Sequence, residues 1–231
     1  MEKVVISGGS SGIGKALVKK FVGEGCEVFT FARSQEKLNR LSGELQRTKD
    51  LLHTYVFDLK TGDFSRLASE VKAAMGCIDR IINNAGILVN KPFLELTEAE
   101  VEEAFRVNVM AVFSLVQHLF PLISPGAHIV NITSIGGFQG SVKFPGLSAY
   151  SASKGALAIL TESMAVELSQ YNIKVNALAL GAVQTDMLAA AFPNYKAPLT
   201  PDEMADFILE FTLNGHRYFN GKILPVSLSI P

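Results

Sequence analysis

The stretch "VVISGGSSGIGKALV", residues 4–18, passes from an apolar run into a helix-forming run through Gly8, Gly12 and Gly14. A short apolar run closed by a turn signal reads as a strand buried on both faces, as strands of a parallel sheet are. The glycines leave backbone amides at a helix N-terminus with no Cβ in front of them, an arrangement that receives a pyrophosphate. Glycines also serve tight turns and helix–strand packing, so the loop taken alone leaves both readings open.

The same alternation repeats outward from this loop. Apolar runs at "KVVIS" (3–7), "EVFTFA" (27–32), "HTYVFD" (53–58), "IDRIINN" (78–84), "AHIVNIT" (127–133), "IKVNALAL" (173–180) and "GKILPV" (221–226) predict seven strands with helices between them. Thr97 with Glu100 forms a capping box, and Thr200-Pro201-Asp202-Glu203 adds a proline at the first helical position. These signals predict helices over about 98–123 and 201–214. Strands alternating with helices imply parallel pairing through right-handed crossovers. The expected fold is α/β: a single Rossmann-type, doubly wound parallel sheet of about seven strands, flanked by helices on both faces, with its ligand site beyond the carboxyl ends of the strands. No linker or repeat interrupts the pattern, so one domain over 1–231 is expected.

Composition narrows the function. A hydrophobic fraction of 48% with 19% charged residues argues against disorder, and a net charge of -1 supplies no cation excess for a nucleic acid backbone. Cys26 and Cys77 are too few for a disulfide framework and read as buried thiols beside strands. His53, His118, His128 and His216 lack metal-ligand spacing, so no metal is expected. The chain enters a strand at once, and no later apolar run reads as approaching the roughly 20 residues of a membrane span. A cytoplasmic protein that binds neither nucleic acid nor membrane is expected.

The end of the second strand, "EVFTFARSQEK" (27–37), has Ala32 where a dinucleotide fold often carries a ribose-binding carboxylate, and Arg33 follows it. A guanidinium there suits a phosphate monoester and favours NADP over NAD; a solvated arginine at a helix start is the other reading. Asp58, closing its strand, either accepts from an adenine amino group or caps a turn.

In "AYSASKGA" (149–156), i,i+4 spacing places Tyr150 and Lys154 on one helix face. A cation about 4 Å from the phenol at an effective dielectric of ~20 contributes on the order of 4 kcal/mol, an upper bound of roughly 3 pKa units below its usual ~10. Such a tyrosine would serve as acid and base near neutrality. The spacing alone is common by chance, and its company changes that: the glycine loop, "NNAG" (83–86), Asn108 and Ser134 precede it in one order.

This constellation resembles the short-chain dehydrogenase/reductase family, and the resemblance runs from Val4 to about Pro225. It implies an NADPH-dependent oxidoreductase that reduces a ketone or aldehyde to an alcohol, with Tyr150 as general acid, Lys154 holding the nicotinamide ribose, Ser134 orienting the carbonyl and Asn108 anchoring a proton-relaying water. Around NADP(H) it places the turn formed by Ser7, which stands where the family has threonine, with Gly8, Ser10, Ser11, Gly12, Ile13 and Gly14. Arg33 and Ser34, Asp58 and Leu59, and Asn84, Ala85 and Gly86 follow, then Tyr150 and Lys154, then Val183 and Thr185.

Departures from the family pattern cluster on the substrate side. Leu180-Gly181 replaces a Pro-Gly pair, "IGGFQGSVKFPGLSA" (135–149) is long, and the lid at about 185–200 is short. Phe138, Phe144, Leu188 and Phe192 are candidate pocket walls or simply lid packing. The helix from Tyr150 is apolar nearly all round, which predicts burial against a second subunit and a homodimer or homotetramer. Two further readings stay open: a 3-oxoacyl-(acyl-carrier-protein) reductase, for which Lys91, Arg106 and Lys143 are weak docking candidates, and a non-catalytic NADP-sensing protein.

Overall fold

The computed structural model describes residues 1–228; the end of the expected domain, 229–231, lies outside the described residues. Seven parallel strands, β1 (Lys3–Ser7), β2 (Glu27–Ala32), β3 (Leu52–Val56), β4 (Ile78–Asn83), β5 (Ile123–Ser134), β6 (Lys174–Leu180) and β7 (Ile223–Val226), pair in the order β3-β2-β1-β4-β5-β6-β7. The order reverses at β1, whose neighbours are β2 and β4, so the crevice of a doubly wound sheet opens there. Pro225 has no amide to donate, and it sits in β7, at the edge of the sheet.

Period-two alternation divides each central strand between two cores. Val4, Ile6, Ile82 and Val130 face one side, where they meet α1 (Gly12–Gly23) and α8 (Pro201–Asn214). Val5, Ile81 and Ile129 face the other, where they meet α3 (Phe64–Met75), α5 (Ala111–Leu119) and α6 (Ser148–Glu167). Between these lie α2 (Gln35–Glu44), α4 (Glu98–Phe105) and the short α7 (Asp186–Ala191). The capping boxes at Thr97 and Thr200 form as read, and α8 spans the residues expected for it.

The helix expected over 98–123 is not uniform. A π-turn at Arg106–Met110 separates α4 from α5, and Ile123 already belongs to β5, which starts four residues before the expected strand and pairs irregularly with β4 between Ile78 and Arg80. Glu98–Leu122 as a whole is long and apolar enough to cross a membrane, contrary to the reading that no run approaches that length. Its apolar side is already committed: Val107, Ala111, Val112, Leu115, Val116 and Leu119 are buried in the protein. Likewise α6 is not apolar all round. It buries Leu157, Ala158, Met164 and Ala165, while Glu162 and Glu167 share its outer face with Ile159 and Val166, which are 63% and 75% exposed.

Below the sheet, His128 is fully buried, its Nδ1 donating to the Thr212 carbonyl (3.0 Å) and its Nε2 accepting from Asn176 Nδ2 (2.9 Å). Burial pushes this imidazole down to about 4. Its ordinary value is ~6.5, so between the two the unfolded chain holds the extra proton. Stability from this group is therefore complete above pH ~6.5 and falls by on the order of 3 kcal/mol as pH drops through about 4. The carboxyls of Glu44 and Glu100, held at about 2 by their hydrogen bonds, act at lower pH. Denaturant unfolding from pH 7 to 4.5 should show this loss, and His128→Gln should flatten the slope by about one proton.

Candidate active site

The site begins with a pin between two loops. The Ser7 hydroxyl accepts from the backbone amides of Asn84 and Ala85, both at 3.0 Å, and donates toward the Ile82 carbonyl. Asn84 Nδ2 returns to the Ser7 carbonyl at 3.0 Å. Thus Ser7, at 2% exposure, lies under the cleft instead of on its wall; it ties the glycine loop to "NNAG" and is a support, not the cofactor contact the sequence reading assigned. Gly14 must lack a side chain, because a Cβ there would fall 2.2 Å from the Gly8 carbonyl oxygen.

A cleft of about 750 Å³ opens at the carboxyl ends of the strands. Gly8, Ser10, Ser11, Gly12, Ile13 and Gly14 form its floor at the start of α1. Among the described residues, Ser11 makes no side-chain cap and no acid sits in the first turn of α1, so the helix supplies no anion of its own to its first amides. Arg33, Ser34, Asp58, Leu59, Asn84, Ala85 and Gly86 continue the lining, and Val183 and Thr185 close it from the connection between β6 and α7. Asp58 does cap its turn, with Oδ1 accepting from the Lys60 amide at 2.9 Å, while still lining the cleft. Thr185 and Ser34 likewise cap α7 and α2 with their hydroxyls. These residues fit an extended anionic dinucleotide: free amides at a helix start, glycine where backbone must approach, and cations at Arg33 and Lys37.

Ser134, Tyr150 and Lys154 line the same cleft. The Ser134 hydroxyl acts on the Tyr150 phenol in the direction that favours its ionised form, and Ser134 Oγ accepts from the Gly136 amide at 3.2 Å. Lys154 is buried, its Nζ donating to the Ile132 carbonyl at 2.8 Å and standing 6.0 Å from the Tyr150 ring centre. Burial pushes this ammonium down to about 8. Burial also raises the Tyr150 phenol above its ordinary value, and the Ser134 hydroxyl opposes only part of that. The strong depression of the tyrosine expected from a cation at about 4 Å is therefore not produced by the polypeptide's own groups: desolvation dominates and the phenol lies above its ordinary value.

Asn108 occupies the π-turn, fully buried behind the cleft. Its Nδ2 donates to the Ile87 carbonyl (3.0 Å) and Ser153 Oγ (2.9 Å), and its Oδ1 accepts from the Ile87 amide (2.9 Å). Both of its amide hydrogens are spent on protein, so the side chain is a strut between the loop after β4 and α6. It stays close to the chemistry, since a Cβ on Gly86 would lie 3.0 Å from Asn108 Oδ1 and 3.2 Å from Lys154 Nζ.

On the substrate side, Phe144, Leu188 and Phe192 line the cleft as anticipated, but Phe138 does not. The sequence reading missed Val142, Met187 and Tyr195, exposed apolar side chains on that lining, and Lys37 beside Arg33. Lys37 was legible: with Ser34 as the cap of α2 it falls in the first turn of that helix.

The family profile described as short chain dehydrogenase matches residues 2–196. An NADPH-dependent aldehyde reductase of Arabidopsis thaliana is 31% identical over 250 residues, covering 95% of this chain and 83% of its own. A 3-oxoacyl-(acyl-carrier-protein) reductase of Thermotoga maritima is 30% identical over 235 residues, covering 96% and 94%. Among solved structures, a short chain dehydrogenase from Escherichia coli CFT073 complexed with NADPH superposes with a TM-score of 0.89 at 27% identity, over 97% of this chain and 95% of that one. The chain belongs to the short chain dehydrogenase family and is an oxidoreductase.

Ser7→Ala would leave two enclosed backbone amides without their acceptor and should cost about 2 kcal/mol. Urea unfolding checks this, with Ser7→Thr, which keeps the hydroxyl, expected to recover most of the loss.

Proposed function

We propose that this protein reduces a ketone or aldehyde to an alcohol with NADPH, and that Tyr150 delivers the proton. The observation that carries the proposal is the meeting of Ser134, Tyr150 and Lys154 on the lining of one cleft with the glycine loop. NADPH, bound along that loop, supplies the hydride. As the carbonyl oxygen gains negative charge, hydroxyl donors already placed at it stabilise the transition state. Ser134 orients that oxygen by hydrogen bonding, and Tyr150 O–H, on the same lining, transfers its proton to it. Lys154, charged below about pH 8, lines the same cleft and adds a cation to the site in which the carbonyl oxygen gains negative charge.

Arg33 and Lys37 on the cleft lining support the 2′-phosphate form of the cofactor, in line with the NADPH of the Escherichia coli structure. The apolar mouth of Val142, Phe144, Met187 and Tyr195 supports an uncharged substrate. For the carrier-protein reading, two docking candidates are already engaged: Lys91 pairs with Glu100 at 3.1 Å, and Lys143 Nζ bonds the Phe138 carbonyl and Ser141 Oγ. Exposed apolar side chains at Ile159 and Val166 on α6, Met110 in the π-turn and Phe113 on α5 support self-association.

In NADPH oxidation against a panel of ketones and aldehydes, Tyr150→Phe should lower kcat by about a hundredfold or more while leaving NADPH affinity nearly unchanged. Equal turnover by the variant would refute the role of Tyr150; tight NADPH binding without turnover of any carbonyl would favour the sensor reading.

A further inference from the structure

Three substrate-side segments meet at Asn90, a side chain outside the cofactor cleft. Its Nδ2 donates 2.7 Å to the carbonyl of Ala191, the last residue of α7. A helix of six residues cannot hold itself together in water, and its last carbonyls lack partners within it. A donor from outside the lid therefore fixes where the lid ends. The Oδ1 of the same amide fills the space in front of Gly146, where a Cβ would fall 2.1 Å from it and where φ is +82. Next to it, the Lys91 amide donates to the Gly146 carbonyl at 2.9 Å. Apolar side chains of the mouth belong to the two segments so joined: Val142 and Phe144 to one, Leu188, Phe192 and Tyr195 to the other.

We propose that Asn90 is a positioning residue, a latch that ties the lid to the 135–147 connection and so sets the width of a pocket for a bulky uncharged carbonyl compound; the substrate half of this rests on the reductase reading above. A single solvent-facing hydrogen bond of this kind changes the closed-to-open ratio of the lid by a factor of about five to ten. Asn90→Asp keeps the shape, removes the donor and sets a carboxylate against the Ala191 carbonyl. Asn90→Gln keeps the donor.

The test is hydrogen exchange on the full-length protein with NADPH bound, beside steady-state reduction of 2-decanone and of acetone. In Asn90→Asp, exchange across 186–192 should rise about fivefold with α6 unchanged, and KM for 2-decanone should rise about fivefold with kcat and the acetone kinetics nearly constant. Asn90→Gln should restore most of both. Unchanged lid exchange in Asn90→Asp would overturn the latch whatever the turnover. Faster lid exchange with an unchanged KM for 2-decanone would overturn its role in the pocket. Faster lid exchange in a protein that reduces no carbonyl would support the latch and count against the reductase reading.

Discussion

Helix α6 is held on the sheet by buried hydrogen bonds from three directions, and the placement of Tyr150 and Lys154 depends on them. Asn108 reaches Ser153 Oγ, which in turn donates to the Tyr150 carbonyl at 2.8 Å; Lys154 Nζ holds the Ile132 carbonyl; and Asn83, Asn131 and Thr161 form a chain from β4 through β5 to the middle of α6. Each of these groups is costly to leave unpaired in a protein interior, so α6 has one low-energy seat on the sheet. That seat aims Tyr150 and Lys154 into the cleft. The π-turn belongs to the same device, because it carries Asn108 where a break in the helix lets one side chain serve both the loop after β4 and α6.

Much of the fold was legible because each central strand is apolar on both faces and each helix start carries its own chemistry. Val4, Val5 and Ile6 go to alternate cores, so a continuous apolar run meant a covered strand. Thr97 and Thr200 announced their helices through local bonds to Glu100 and Glu203. The π-turn was not legible: Arg106–Met110 has the composition of an ordinary helix, and its extra residue answers to the tertiary demand on Asn108. The early start of β5 is similar, since Ile123 joins the sheet through an irregular pairing that no local pattern encodes.

Within the site, residue types and order found the lining, while exact roles depended on contacts. Ser7 carried a signal of position in the glycine loop but spends its hydroxyl on the amides of Asn84 and Ala85. Spacing put Tyr150 and Lys154 on one face, yet it said nothing of the Ile132 carbonyl that accepts from the ammonium. Electrostatics argued from distance alone overstated the effect, because the same burial that strengthens an ion–phenol attraction also penalises the phenolate.

In the proposed reduction, labour is divided between two buried groups. Lys154, pushed down to about 8, is the group that titrates within reach of ordinary assay conditions, whereas the raised Tyr150 phenol keeps its proton there. The most direct measurement is the pH dependence of kcat/KM for NADPH-linked carbonyl reduction, followed from pH 6 to 10. The expected profile is a plateau that falls away as pH rises through about 8, as Lys154 loses its charge. A rate that stays level through that range would contradict it.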